Sequence, residues 1–293
     1  MDGRALFLGL IFALAWSSAF TSARIIVAEA PPLLILALRF YVSGLLACAL
    51  AFAMGQSFRL TRPQWRATII FGLCQNALYL GLNFVAMQSV EASLAAIIAS
   101  VMPLIVAFAG WVFFQERVSA LGLLGLLGGM AGVALIMGSR LSGGADLNGL
   151  ALCVIGVLAL ATATLTLRNA SSGGNYMVVV GFQMLVGATA LLGPGLVFET
   201  WDVTWSPKLM AAFAYTTLVP GLLATVVWFI LVARIGAVRA ATFHFLNPVF
   251  GAAVAALLLG EVLSGLDLLG VVIITASILA VQASRQSAAL KAQ

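Results

Sequence analysis

Long apolar segments alternate with short polar connections along the whole chain. Ten segments of about 20 residues can be counted, and connections such as Gln115-Glu116-Arg117 are only a few residues long. The segments lie near residues 5–27, 32–54, 65–87, 92–114, 119–139, 147–168, 176–198, 208–232, 237–259 and 264–284. An apolar run of this length predicts a membrane-spanning α-helix. The pattern therefore predicts an all-α membrane protein with ten spans, which we number 1 to 10 in chain order.

An internal repeat relates span 4 to span 9. A shift of 145 residues places Glu91 to Gly125 on Gly236 to Gly270 without a gap. The shared positions include a mid-helix proline and a boundary glutamate, Pro103 with Glu116 in the first copy and Pro248 with Glu261 in the second. Matches of alanine or leucine are common in an apolar chain, but this proline–glutamate pair at one spacing is not. We interpret the chain as a duplication in which the two prolines and the two glutamates are hinge or structural positions.

The duplication and the number of spans together predict the topology. Each half contains five spans, an odd number, so the second half enters the membrane from the opposite side. The prediction is two inverted five-helix repeats, residues 1–145 and 146–284, around a central cavity, followed by a cytoplasmic tail at 285–293. Inverted repeats are a common architecture of secondary transporters, which bind substrate near mid-membrane and open to alternate sides.

Composition agrees with this class and gives the orientation. Hydrophobic residues make up 63% of the chain and charged residues 8%, whereas soluble domains contain about 25% charged residues. With a cytoplasmic N-terminus, ten of the 14 lysines and arginines fall on the inner side, three fall on the outer side and Arg39 lies within span 2, so both termini are predicted to be cytoplasmic. The net charge of +5 arises from these connections and does not indicate nucleic-acid binding. The three cysteines lie inside apolar segments, which predicts neither a disulfide framework nor a metal site.

Four motifs resemble those of the EamA family in the drug/metabolite transporter superfamily. They are Trp16-Ser17-Ser18-Ala19-Phe20, Ala37-Leu38-Arg39-Phe40, Phe114-Gln115-Glu116-Arg117 and Leu259-Gly260-Glu261-Val262. Within that family the chain is most similar to bacterial exporters of aromatic amino acids. The resemblance implies a ten-helix carrier in the bacterial inner membrane, with a cavity lined mainly by spans 1, 3, 4, 6, 8 and 9. It leaves the substrate open, and the direction of export comes from the resemblance alone.

Span 3 carries a stripe of polar side chains. Asn76, Tyr79 and Asn83 follow the spacing i, i+3 and i+7, which places them on one face of a helix. One interpretation is a ligand site in which amide and phenol groups bind the amino and carboxylate groups of a zwitterion. The alternative is hydrogen bonding between helices.

Span 9 contains His244, the single histidine of the chain, one turn before Asn247 and Pro248. Pro248 has no N–H, so it leaves the carbonyl of residue 244 unpaired and favours a kink near mid-membrane. We expect His244 and Asn247 either to contact the substrate or to bond a neighbouring helix. Pro103 predicts the same break in span 4, at Ala99.

Other candidates lie in spans 1, 2 and 8. Trp16 is too deep in span 1 for an interfacial anchor, so with Ser17 it either lines a pocket for apolar side chains or packs against other helices. Trp228 in span 8 either lines the pocket, packs against other helices or lies at the membrane interface. Arg39, about two turns inside span 2, is expected to extend to the outer interface rather than to bind a substrate carboxylate.

Carboxylates lie at the ends of the spans rather than at their centres. This pattern favours uncoupled flux of a neutral or zwitterionic solute, with His244 as the candidate for proton coupling. An intramembrane enzyme would need a nucleophile with a base, or paired aspartates, and a channel would need a charged pore ring. We therefore predict a monomeric carrier of neutral or aromatic amino acids that needs no cofactor, with a permease for another metabolite or drug as the alternative. Its expected partners are a small-molecule substrate and the lipid bilayer.

Overall fold

The computed structural model describes residues 3–114, 119–142, 146–167, 174–235, 243 and 246–291. These residues form helices joined by short connections, with no strand among them. The helices are α1 (Gly3–Val27), α2 (Pro32–Ala53), α3 (Arg62–Phe71, continuing as Gly72–Leu80 and Gly81–Ala86), α4 (Ala92–Ala99), α5 (Met102–Phe114), α6 (Ala120–Ser142), α7 (Leu147–Leu167), α8 (Tyr176–Phe198), α9 (Pro207–Thr216, continuing as Thr217–Leu223 and Ala224–Ile235), α10 (Asn247–Leu259) and α11 (Gly265–Lys291).

The helices coincide with the apolar segments of the sequence. Seven of those described are long and apolar enough to cross a membrane: Gly3–Val27, Pro32–Ala53, Arg62–Ala86, Ala92–Phe113, Leu147–Thr166, Tyr176–Phe198 and Pro207–Trp228. Three shorter apolar helices, Ala120–Ile136, Asn247–Leu259 and Gly265–Val281, lie where spans 5, 9 and 10 are predicted. The chain is therefore an all-helical, multi-span membrane protein.

Local sequence explains where several helices begin. Thr61 precedes α3 and forms a capping box with Gln64, since the Thr61 N–H donates to Gln64 Oε1 at 2.8 Å and the Gln64 N–H donates to Thr61 Oγ1 at 3.4 Å. Ser206 precedes α9 and accepts the N–H of Leu209 at 3.0 Å. A proline occupies the first turn of each of these two helices, where its missing N–H costs nothing.

The helices group into two compact units, each of which draws on both predicted halves of the sequence. Unit 1 comprises Met1–Thr21, Val90–Leu150 and Leu223–Gln293, and unit 2 comprises Ser22–Ser89 and Ala151–Leu222. The units therefore do not coincide with the predicted repeats at 1–145 and 146–284. Helices from the two halves of the sequence pack together within each unit.

In unit 2, the antiparallel helices α2 and α8 cap each other. The carboxylate of Glu199, which follows α8, accepts the N–H of Leu33 at 2.9 Å and the N–H of Leu34 at 2.9 Å. Gln56, which follows α2, accepts at Oε1 the N–H of Met177 at 3.1 Å at the start of α8. Side chains at the ends of helices thus satisfy N–H groups that would otherwise lack partners in a membrane.

In unit 1, α6 and α11 cross at their glycines. A Cβ on Gly132 would lie 3.2 Å from the carbonyl oxygen of Gly270, and one on Gly270 would lie 3.2 Å from the carbonyl oxygen of Gly132. A Cβ on Gly125 would lie only 2.8 Å from the carbonyl oxygen of Ser277. The overlapping GxxxG patterns of α6 therefore allow close packing within this chain, as small residues do in membrane helices.

Both α3 and α9 contain a π-helical segment, Gly72–Leu80 and Thr217–Leu223. The two segments begin 145 residues apart, the same shift that relates span 4 to span 9. In α9 the segment includes Pro220, which has no N–H to donate to the carbonyl four residues before it. π-Helical segments of this kind are frequent at functional sites, because they change the direction in which side chains point.

Candidate functional site

The predicted polar stripe of α3 is buried inside unit 2. Asn76, Tyr79 and Asn83 have exposed fractions of 2%, 2% and 1%. Asn76 and Tyr79 lie in the π-helical segment, whereas Asn83 lies in the α-helical turn that follows it. The three residues are therefore not arranged at the regular helical spacing on which the prediction was based.

The amide groups of this stripe have different partners. Asn76 Nδ2 donates to the backbone carbonyl of Gln183 on α8 at 2.9 Å, so its amide joins two helices. Asn83 Nδ2 donates to the carbonyl of Tyr79 in its own helix at 2.8 Å, and Asn83 Oδ1 is buried without a hydrogen-bond partner. An orphaned buried acceptor is unfavourable, and the ammonium group of a ligand is a suitable donor for it.

Gly156 of α7 covers Tyr79 and Asn83. A Cβ on Gly156 would lie 2.8 Å from Asn83 Nδ2 and 3.3 Å from the carbonyl oxygen of Tyr79. Because only glycine fits there, α7 approaches α3 closely at the level of these side chains. Asn83 and Tyr79 therefore lie between two helices rather than on a face open to lipid.

The remaining described candidates lie together in unit 1. The Phe12 ring centroid is 5.8 Å from that of Trp16 and 4.8 Å from that of Trp228. Ser17 Oγ donates to Asn247 Oδ1 at 3.4 Å, and both residues are buried. The aromatic group can pack against a flat apolar side chain, while the Ser17–Asn247 contact joins α1 to α10.

The predicted proline break in span 4 is present in unit 1. Helix α4 ends at Ala99, as predicted, and α5 begins at Met102 with Pro103 in its first turn. Pro248 likewise lies at the start of α10. His244 and Glu116 lie outside the described residues, so their predicted roles remain predictions.

Glu261 was predicted as a structural residue, and its geometry shows a specific role. Gly260 ends α10 in the left-handed conformation, with φ of 69°. The following carboxylate accepts the N–H of Ala92 at 2.8 Å and the N–H of Ser93 at 2.9 Å, both at the start of α4. Glu261 is therefore a helix cap supplied by a distant part of the chain.

The prediction for Arg39 was wrong. Its side chain does not extend to an exposed surface, because its exposed fraction in α2 is only 5%. The nearby Ser43, also buried, was not identified from the sequence at all. Ser43 lies four residues after Arg39, about one helical turn, and this spacing from an intramembrane arginine was the signal that could have identified it as a candidate.

Several spanning helices with polar and aromatic side chains buried among them define a multi-span membrane protein. The sequence model of the EamA-like transporter family matches residues 3–138 and, a second time, residues 147–282. The chain belongs to the EamA-like transporter family.

Relatives of the chain are transporters of similar length. An uncharacterized transporter of Bacillus subtilis, YvbV, is 24% identical, with 90% of this chain and 86% of that protein covered. The inner membrane transporter YedA of Escherichia coli is 27% identical, with 93% and 89% covered. A protein of Salmonella typhimurium named "Probable amino-acid metabolite efflux pump" is 26% identical, with 93% and 92% covered. One solved crystal structure at 21% identity shares the fold, with a TM-score of 0.69 over 98% of this chain and 99% of the other.

Proposed function

We propose that this protein is a secondary transporter of neutral and aromatic amino acids in the bacterial inner membrane. The buried Asn83 acceptor beside Tyr79 is the observation that carries the substrate class, because it offers a neutral site for an ammonium group. As a separate group within unit 1, the aromatic side chains around Phe12 offer a surface on which an apolar side chain can pack. The name of the Salmonella relative supports the same class of solute.

The proposed architecture is ten spans in two inverted repeats that work by alternating access. Support comes from features that recur at a shift close to 145 residues. The family model matches the chain twice, and each half of the sequence contains one π-helical segment. Helices α2 and α8 are each capped by a side chain that follows the other helix. The crossing of α6 and α11 has the same relationship, because a shift of 145 residues relates Gly125 to Gly270 and Gly132 to Ser277. The contact between Gly132 and Gly270 therefore corresponds to the contact between Gly125 and Ser277. Repeats threaded in opposite senses can exchange roles between two conformations.

The side chains proposed to bind substrate are Tyr79 and Asn83 in unit 2 and, as a separate group, Trp16 and Trp228 in unit 1. His244, outside the described residues, is proposed with them. Asn76, Ser17 and Asn247 act chiefly by joining helices in this proposal, since Asn76 bonds α3 to α8 and Ser17 bonds Asn247 across α1 and α10. Both termini are placed in the cytoplasm on the distribution of lysine and arginine.

Counterflow in proteoliposomes tests this function. Purified protein, reconstituted with an unlabelled amino acid inside, should accelerate uptake of labelled neutral and aromatic amino acids in a saturable manner. Tyr79→Ala should raise KM, whereas Tyr215→Ala, at a side chain that is 39% exposed, should leave it unchanged. If no amino acid moves, a permease for another metabolite or drug becomes the leading candidate. If Tyr79→Ala and His244→Ala both transport like the parent, the proposed binding residues are wrong.

An imposed pH gradient tests the coupling. Asp and Glu residues among those described lie at helix ends or in connections, so we propose facilitated flux that follows the solute gradient. Uphill uptake driven by the pH gradient and abolished by His244→Ala would contradict this mechanism.

A further inference from the structure

Arg39 is a buried cation inside a membrane helix. It lies seven residues after Pro32 begins α2, about 10 Å along the axis. Its guanidinium carbon is 4.8 Å from the centroid of the Phe40 ring, and its Nε is buried without a hydrogen-bond partner. The side chain forms no hydrogen bond or ion pair with any residue that the structure describes. Since a guanidinium stays charged in proteins, this position is unfavourable unless an anion occupies it.

Ser43 presents a second unused donor one turn along the same face of α2. It is completely buried, with an exposed fraction of 0%, and its hydroxyl has no hydrogen-bond partner. Residues at i and i+4 are neighbours on a helix surface. Arg39 and Ser43 therefore form a pair of adjacent donors that the described part of the chain leaves unsatisfied.

Gly221, in the π-helical segment of α9, lies beside these donors. A Cβ on Gly221 would lie 3.4 Å from Arg39 Nη2 and 3.6 Å from Ser43 Oγ. The two donors thus approach the same point, and glycine keeps that point free of a side chain. One face of the guanidinium is covered by the Phe40 ring, which leaves its edge for bidentate contact with an anion.

The described carboxylates of unit 2 are Glu29, Glu199 and Asp202, and Asp202 lies exposed in the connection after α8. Glu29 accepts a hydrogen bond from Ser206, and Glu199 accepts the N–H groups of Leu33 and Leu34. Neither pairs with Arg39. The chemistry of the site therefore points to an anion that comes from outside the chain.

The place in unit 2 that the repeat relates to this site is closed. A shift of 144 residues relates Arg39 to Gln183, and a shift of 145 relates Asn76 to Gly221. There the Asn76 amide donates to the Gln183 carbonyl at 2.9 Å, which joins α3 to α8 with neutral groups. Gly221, at the position that matches Asn76, has no such amide, and Arg39, at the position that matches Gln183, carries a cation instead.

We propose that Arg39 and Ser43, beside Gly221, bind the carboxylate group of the transported solute. The inference rests on the proposed function, because it gives the carboxylate group of a zwitterionic substrate a binding partner. Arg39 contributes charge and bidentate geometry, and Ser43 contributes one further hydrogen bond.

Matched ligands with and without a carboxylate test this site. Binding of phenylalanine and of phenylalaninamide to the purified full-length protein is measured by calorimetry for the parent, Arg39→Gln, Arg39→Lys and Ser43→Ala. Arg24→Gln is the control, because Arg24 lies near the end of α1 and bonds the Met87 carbonyl. The parent should prefer phenylalanine, and Arg39→Gln should weaken its binding about 10- to 100-fold, with little change for phenylalaninamide. Ser43→Ala should show a smaller loss and Arg24→Gln none.

The outcomes separate this inference from the proposed function. If the parent binds phenylalanine and both Arg39 variants bind it equally well, the carboxylate site is wrong while amino-acid transport stands. If the parent binds no amino acid but binds benzoate in an Arg39-dependent manner, the carboxylate site stands and the amino-acid proposal fails. If the parent binds phenylalanine and phenylalaninamide equally well, the proposed carboxylate site is overturned. It is also overturned if chloride competes for the site as strongly as benzoate does. Should Arg39→Gln not fold, Arg39→Lys decides, since it keeps the charge and loses the bidentate geometry.

Discussion

Removal of the Glu261 carboxylate tests how distant parts of the chain hold each other in unit 1. Glu261 accepts the N–H of Ala92 at 2.8 Å and the N–H of Ser93 at 2.9 Å. Both capped residues have exposed fractions of 0%. Water therefore has poor access to these N–H groups, and Glu261→Ala leaves two buried donors without a partner.

The magnitude follows from the number of bonds lost. A buried donor without a partner costs about 1–3 kcal/mol, and loss of a helix cap costs about 0.5–2 kcal/mol. Because the first turn of α4 can partly unwind, we expect the free energy of unfolding to fall by about 2 kcal/mol. At about 2–4 °C for each kcal/mol, Tm should fall by roughly 4–8 °C. Glu261→Gln keeps one acceptor oxygen and should show about half of this loss.

Thermal unfolding in detergent, followed by tryptophan fluorescence, measures the effect. Asp202→Ala is the matched control, since Asp202 lies exposed in the connection after α8 and its carboxylate forms no hydrogen bond with the described residues. If Glu261→Ala unfolds at the same temperature as Asp202→Ala, the two bonds do not stabilise the fold and the capping argument is refuted.

Three further substitutions test packing, helix bonding and backbone conformation by the same thermal unfolding. Gly125→Ala should lower stability by about 1–3 kcal/mol because its Cβ would lie 2.8 Å from a backbone carbonyl of α11, whereas Gly265→Ala, with nothing within 4 Å, should not. Asn76→Ala should lower the free energy of unfolding by about 1 kcal/mol, because it removes the bond to Gln183, and should leave the transport KM unchanged. A change in KM without a change in stability would instead show that Asn76 binds the substrate. Gly260→Ala should lower the free energy of unfolding by about 1 kcal/mol, because Gly260 has a φ of 69°, which disfavours any side chain. Unchanged stability would refute the left-handed cap.

The regular features of the fold were predictable from the sequence because their signals are local. Apolar runs of membrane-spanning length located the helices, and Pro103 located the end of α4 at Ala99. The overlapping GxxxG patterns of α6 are a local signal of the same kind, and α6 packs closely on α11 at these glycines. Each of these signals depends on a short stretch of chain and on the same physics in any membrane protein.

The details of the candidate site were harder to predict. The spacing of Asn76, Tyr79 and Asn83 assumed a regular α-helix, whereas Gly72–Leu80 is π-helical. Asn76 is bonded to the carbonyl of Gln183, a residue that is distant in sequence. Nothing in the spacing of span 3 indicates that partner, because it depends on which helix packs beside it.

By itself, the sequence determined a helical membrane protein with a repeated proline–glutamate pattern, since hydropathy and duplication are written along the chain. Only the tertiary structure decided that Arg39 is buried beside Ser43 and that Glu261 caps α4. The physical reason is that burial and hydrogen bonding depend on neighbouring helices. A long side chain such as Arg39 can reach the interface or remain in the interior at the same sequence position, and the packing around it determines which occurs.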